Sequence, residues 1–478
     1  MTKRILLMMV FALAATNVFA ANHYIRAGAT GANNGTDWTN AWTSLSSANW
    51  TRGDVYYIAA GSYSGLTLSA GTSGNTVIEI RGAVGGSGDH GTTTGWSDSF
   101  QGQAVLGGTT IATSFWKLNG QAVPGCTYPT DNPSCHLIKI NHPGTSDGSG
   151  ALVLGNGSQV TNITMDYIDV QGSNVHQDGT HDEGIYCIPG PCNQTYIGHS
   201  HVHNTGCDTL SFNDNLGDTI TVEYSWISYN NFGPTTANHC QGIQSTFGTM
   251  ILRYNMWQDM QSSAAISLAA GGNGAPIVDW EIYGNVFYWD AAWNAQVQGD
   301  GRVGYDDGIV GIFDETQGCC KTGLLKIYNN TIVGLNLSGS QNCNGQAYTI
   351  NSNEFVSATI YNNIWANFGP NCNAGQAGAG TYDYNAYYQI SNKTNDNGAH
   401  SYSSSTNPFV NPTAGTVAGF MLTADTQAGL QLSSPYNVDL FGVTRGASGT
   451  LDRGALQLNG TSSSLPPVPQ GFHVVSIQ

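Results

Sequence analysis

Hydrophobic and polar positions recur along this chain in one short pattern. Seven segments share it: ITMDYID from Ile163, IGHSHVH from Ile197, VEYSWIS from Val222, LRYNMWQ from Leu252, IYGNVFY from Ile282, IYNNTIV from Ile327 and IYNNIWA from Ile360. The first position is aliphatic, and the sixth is apolar (Ile168, Val202, Ile227, Trp257, Phe287, Ile332, Trp365). The fourth is small and polar (Asp166, Ser200, Ser225, Asn255, Asn285, Asn330, Asn363). Start-to-start spacings of 34, 25, 30, 30, 45 and 33 residues keep the unit fixed while the loops between units vary. Self-similarity at this period predicts a solenoid. Its strand-type content makes the rungs parallel β coils, each packed only on its neighbours. The fourth-position side chains fall at a bend, where stacked amides can hydrogen-bond from rung to rung, so their role is read as structural.

The second position points away from the aliphatic core and reads Thr164, Gly198, Glu223, Arg253, Tyr283, Tyr328, Tyr361. Glu223 and Arg253 are expected to pair across rungs, and the three tyrosines to form an exposed stripe. Such a stripe suits a glycan platform, and it is equally ordinary β-sheet surface chemistry.

A second element follows each unit and aligns on an aliphatic residue: DEGI (Ile185), CDTL (Leu210), CQGI (Ile243), SAAI (Ile266) and DDGI (Ile309). This register stacks Cys207 on Cys240, about 5 Å apart at the usual strand spacing, a separation that suits a disulfide. It likewise places Glu183 one rung from Asp208, with Asp182 adjoining and His181 and His239 just upstream. Two carboxylates so close need a cation, a cationic side chain or a shared proton. A Ca²⁺ ion at Asp182, Glu183 and Asp208 is one solution; a raised pKa on one carboxyl, giving an acid/base pair for glycoside cleavage, is another. Inward-facing unpaired carboxylates would be costly, so the pair is expected in the turn just before the strand. Asp307 falls three rungs from Asp208, about 14 Å away, and drops out of direct chemistry with it. The alternative is that these acids merely cap turns, as Asp and Asn commonly do.

Long connections at 170–181, 229–239 and 288–305 leave from the same turn of the coil and carry Tyr229, Tyr288, Trp289, Trp293 and Tyr305. Aromatic walls around a carboxylate floor suit sugar rings. Tyr229, Trp289, Trp293 and Tyr305, with Gln241, are therefore the expected substrate contacts, although aromatics there also serve to pack loops onto a coil.

Composition narrows the partners. Charged residues make up 9% of the chain, and the formal net charge is −17. That balance disfavours nucleic acid and anionic membranes, and a polyanionic substrate as well unless metal ions bridge the charges. Residues 1–20 read as an export signal: Lys3 and Arg4, an apolar Ile5–Ala15 stretch and a Val18-Phe19-Ala20 cleavage site. No other apolar run is long enough to span a bilayer, and the protein is expected outside the cell or at its surface, as a monomer. In an oxidising compartment the ten cysteines read as disulfides, with Cys126/Cys135 and Cys187/Cys192 close enough to staple single loops.

Residues 22–62, with DWTNAWTSL and GDVYYIAAGSY, resemble the opening coils of secreted right-handed parallel β-helix proteins of the pectin-lyase-like superfamily. The stretch VDLFGVTRGASGTLDRGALQL (438–458) resembles their closing segment. HDEG (181–184), GCDT (206–209) and YDDG (305–308) occupy places comparable to the acidic motifs of polygalacturonases. The GHG and RxK motifs of that branch are missing, and Gln241 stands where a histidine would. Pectate lyases need a basic residue beside their calcium carboxylates, for which His181, His239, Arg253 and Arg302 are near enough in register.

The resulting expectation is an all-β, single-stranded right-handed parallel β-helix over 21–458, followed by a Ser/Pro-rich linker and tail at 459–478. Its function is expected to be extracellular polysaccharide cleavage, with a glycoside hydrolase slightly ahead of a Ca²⁺-dependent lyase and no cofactor strictly required. Glu183, Asp208, Asp182, His181 and His239 are the expected catalytic residues. The competing expectations are a non-catalytic exported glycan-binding or adhesin-type protein, and an epimerase on the same scaffold.

Overall fold

The structure, a computed structural model, describes residues 20–142, 149–173, 182–187, 192–212, 219–230, 241–245, 249–260, 264–269, 279–290, 310–313, 322–334, 348–350, 355–366, 376–377, 380–390, 396–447 and 449–458. Three parallel sheets run the length of the coil. Sheet I stacks 12 described strands from Asn22–Ile25 to Thr381–Asp383; sheet II stacks 12 from Gly61–Tyr63 to Tyr402–Ser404; sheet III stacks 10 from Thr67–Leu68 to Gln376–Ala377. One coil passes through all three: Cys192–Gly198 in sheet I, His201–Thr205 in sheet II, Leu210–Phe212 in sheet III, then Thr219–Glu223 back in sheet I. Each strand pairs in parallel with its counterparts in the coils before and after. No helix among the described residues is long and apolar enough to cross a membrane.

The repeat lies across the junction of sheets I and II. First-position Ile197, Val222, Leu252 and Ile282 and sixth-position Val202, Ile227, Trp257 and Phe287 are buried in the coil interior. Between them the third position adopts a left-handed backbone: φ is 48° at His199, 50° at Tyr224, 58° at Tyr254, 67° at Gly284 and 56° at Asn329. That conformation costs a non-glycine residue about 1–2 kcal/mol, and two stacks offset it. The rings of Tyr167, His199, Tyr224 and Tyr254 lie face to face at 4.5, 5.2 and 5.1 Å. Beside them runs the expected amide ladder. Asn255 Nδ2 donates to Asn285 Oδ1, Asn285 to Asn330, Asn330 to Asn363 and Asn363 to Asn385, each at 3.0 Å. Every one of these asparagines is buried.

Six of the seven units keep the expected register; the first slips by two residues. Met165, not Ile163, pairs with Ile197, and Val170, not Ile168, pairs with Val202. Asp166 is therefore no ladder member, and it pairs instead with His199 Nδ1 at 2.8 Å. The sequence misleads there because ITMDYIDV offers apolar residues at both registers two apart, and either choice keeps the same faces. An eighth unit, Tyr382 to Tyr387, continues the column with Asn385 at its bend; an aromatic first position hides it from an aliphatic template. In sheet III, Ile185, Leu210, Ile243 and Ile266 stack as expected, but Val310 rather than Ile309 follows Ile266.

The last described coil strand ends at Ser404, short of residue 458. Phe409, Val417, Phe420, Leu422, Leu440 and Leu456 pack back over the outside of the coils, on Trp226, Met256, Tyr283, Val286 and Tyr328. The tyrosine stripe is consequently not exposed. Tyr283 is 1% and Tyr328 8% accessible, both edge-on to Tyr436. The expected ion pair is present, with Arg253 Nε 2.5 Å from Glu223 Oε2.

Candidate functional site

Glu183 and Asp208 stand where the register puts them, two residues before Ile185 and Leu210 on paired strands. Glu183 lies inside the strand Asp182–Cys187, not in the turn before it, while Asp208 precedes Leu210–Phe212. Both are closed to solvent, at 2% and 3% accessible. Asp208 Oδ1 accepts the backbone N–H of Gln241 at 2.7 Å, the capping role weighed as the alternative. Burial pushes the Asp208 carboxyl up to about 7. Gln241, also buried at 1%, meets Asp208 through its backbone. Among the described residues the pair offers fewer oxygens than the about six to eight that Ca²⁺ takes, and one of them already holds an amide.

The other expected residues divide. Trp289 does not wall a groove; it belongs to the core, with its indole N–H donated to Met260 O at 2.8 Å. Tyr229 is half-buried at the end of sheet II, where its hydroxyl accepts from Gln258 Nε2 at 2.7 Å. His181, His239, Trp293, Tyr305, Cys240 and the Asp182 side chain lie outside the described residues. Cys126–Cys135 and Cys187–Cys192 are disulfides, with Cα separations of 5.8 and 6.2 Å. Cys207 is disulfide-bonded, and its expected partner Cys240 is among the undescribed residues.

A different cluster forms on the outer face of sheet II. Strand pairing sets Lys139, Asp169, His201 and Trp226 in one column across four coils, with Gln171, His203, Ser228 and Gln258 in the next outward column. Alternation along a strand turns both columns away from the interior. His203 Nε2 lies 3.0 Å from Asp169 Oδ1. Lys139 Nζ is 3.6 Å and Gln103 Nε2 3.2 Å from Asp169 Oδ2. The His201 and His203 rings are parallel at 4.0 Å, and His201 Nε2 lies 3.0 Å from Ser228 Oγ.

Charge settles around Asp169. Burial works to raise its carboxyl, but the hydrogen bond and charge of His203, with the charge of Lys139, outweigh burial and hold it well below the usual carboxylate range. Burial, then the charge of His203, depresses His201 far below its ordinary value, so that ring is neutral. The cluster thus offers an ionised carboxylate, a neutral imidazole and, at 16% and 12% side-chain accessibility, Lys139 and His203 partly open to solvent. Sequence reasoning passed over it. The signal was His-x-His at outward positions of one strand and Asp169 at an outward position of the strand before.

No family model matches the chain, and neither does any curated protein. Among solved structures it is similar to the pectate lyase Pel9A, at 13% identity over 92% of this chain and 97% of that one, with a TM-score of 0.51. It also aligns with the PL6 family alginate lyase AlyGC, at 13% identity over 80% of this chain and 54% of that one, with a TM-score of 0.34. At such identity the first likeness carries architecture, in agreement with the three all-parallel sheets: the chain is a right-handed parallel β-helix of the pectin-lyase-like type.

Proposed function

We propose that this protein is an exported polysaccharide-cleaving enzyme that works by β-elimination on a uronate-containing glycan, at the outer face of sheet II. The observation that carries the reading is the cluster of Lys139, His201 and His203 around Asp169. Elimination needs a group to take the proton beside the uronate carboxylate and cationic groups to hold that carboxylate. In a chain with 14 lysines and arginines, the other described cations are engaged elsewhere. Arg81 holds Glu79 and Asp89, Arg253 holds Glu223, and Lys326 holds Glu281. Lys139 is assigned to proton abstraction as the free amine, its ammonium proton first passing to solvent; the proton it takes from the sugar goes on to the departing glycosidic oxygen. Asp169 fixes the position of Lys139, and Gln103, Gln171 and His203 line the approach. The pectate lyase likeness supports the reaction class. It gives no support to hydrolysis over elimination.

Hydrolysis by Glu183 and Asp208 keeps one observation in its favour: two carboxyls a rung apart, one raised to about 7. Their burial counts against it: at 2% and 3% accessible, both carboxyls are closed to solvent. The two readings separate in one experiment on the whole chain with pectate, alginate and neutral glycans. Lys139→Ala is expected to lower formation of unsaturated uronate product by at least about 100-fold, while Glu183→Gln stays within a few-fold. New reducing ends without unsaturation, abolished by Glu183→Gln, would overturn elimination in favour of hydrolysis. Glycan binding with no cleavage would replace both with a binding protein.

A further inference from the structure

Asp169, His201 and His203 present one ligand atom each, all within 4.8 Å of one another. Two imidazoles and a carboxylate are the donor set of Zn²⁺ and of its neighbours Co²⁺ and Ni²⁺, not of Ca²⁺, which takes oxygen ligands. The surroundings are those of a built site. Asp169 is 1% and His201 6% accessible, and adjacent coils fix all three side chains in register: Asp169 opposite His201, with His203 two residues further along the same outward face. Groups that do not ligate hold the ligands in place. Gln103 and Lys139 engage the far oxygen of Asp169, and Ser228 holds the His201 ring. Such outer contacts are what orient metal ligands.

We propose that Asp169, His201 and His203 form a three-ligand site for a divalent transition-metal ion of the Zn²⁺ type, leaving a coordination position for a substrate oxygen. The ion enters between His203 Nε2 and Asp169 Oδ1 and replaces the hydrogen bond that now joins them; Lys139 stays on Oδ2. A dication there also answers the charge problem of a protein at −17, because it bridges an acidic face to a uronate carboxylate. This assignment rests on the sheet II reading above for its substrate, but not for the metal itself.

The test is Co²⁺ binding to the whole chain without glycan, followed by visible absorbance and by metal content after dialysis. The expected result is one Co²⁺ per chain, displaced by Zn²⁺ and not by Ca²⁺. His203→Ala and Asp169→Asn are each expected to weaken binding by more than about 100-fold, and Gln103→Leu by about 10-fold. His400→Ala, distant in the coil, is expected to leave binding intact. Because the ligand variants also lose an ion pair, His203→Gln with an unchanged circular dichroism spectrum guards against misfolding. Binding below one equivalent, or binding that His203→Ala and His203→Gln leave unchanged, overturns the site. One equivalent of Co²⁺ in a protein that cleaves no uronate supports the metal site and overturns the elimination reading; cleavage unaffected in a chain that binds no Co²⁺ does the reverse.

Discussion

The bend between sheets I and II and the turn between sheets II and III belong to the same coils, yet they are built in opposite ways. At the bend the coils from Ile197 onward repeat one solution: a left-handed third residue, a small polar fourth residue and an apolar residue on either side. Neighbouring coils supply each other's hydrogen bonds, so each side chain is pinned by the copies before and after it. At the turn the described residues share no such ladder. Its connections differ in length, and the acids beside it, Asp208 and Asp259, are buried, with carboxyls that burial pushes up to about 7 and about 8. The difference lies in how fully burial is compensated, since Asp208 and Asp259 each accept a backbone amide and burial still raises them. Polar groups at the bend are buried because the ladder pairs them, whereas carboxyls at the turn are buried at a cost that protonation relieves.

Breaking the bend should have the largest effect. Asn285 Nδ2 donates to Leu252 O and to Asn330 Oδ1, and its Oδ1 accepts from the backbone and side-chain nitrogens of Asn255. Asn285→Ala leaves neighbours on both coils with buried, unpaired groups, and chemical denaturation should report a loss of about 3 kcal/mol. A loss below about 1 kcal/mol would mean that stacking, not the ladder, holds the bend.

The turn should answer to pH instead. The folded state keeps a proton on Asp208 that the unfolded chain gives up above about pH 4. The stability linked to it is therefore whole below about pH 4 and is lost as pH rises through about 7. Asp208→Asn, which keeps an oxygen for the Gln241 amide, removes that dependence. Relative to the parent it should gain about 2 kcal/mol at about pH 9 and nothing at about pH 4, read as the difference in Tm between the two conditions. Equal Tm shifts at both would show that Asp208 is ionised when buried.

The smallest effect sharpens the bend itself. Gly284, at φ 67°, occupies the column filled elsewhere by rings and asparagines, and a Cβ there would come 2.6 Å from the Tyr254 ring. Gly284→Ala should cost about 1–2 kcal/mol. A neutral result would show that the Tyr254 ring yields readily and that the aromatic stack contributes little.

Much of this architecture can be read from residues alone because a solenoid makes its long-range contacts between copies of a local pattern. Ile197, Val222 and Leu252 occupy equivalent places in sequence and stack in space, and the same periodicity carried Glu183 to Asp208 and predicted the Glu223–Arg253 pair. The slip at Ile163 came where two registers of the same parity were both apolar, and that at Ile309 where Val310 offered an adjacent aliphatic residue. Alignment of like with like has a blind side, however. Lys139, Asp169 and His201 share a column but not a chemical type, so no repeat template marks them, and each histidine taken singly reads as surface.

Three things required the folded chain. Residues 405–458 turn back over the coil and convert the tyrosines at 283 and 328 from a surface into a core. Burial, which depends on what every neighbouring coil and loop covers, separates Glu183 and Asp208 from solvent. Proximity across sheet II brings a lysine, an aspartate and two histidines from three coils into one cluster. Periodicity determines which residues lie in register, since that follows from the backbone repeat; which of them meet water, a cation or a sugar follows from the non-repeating segments that cover the coil, and those obey no period.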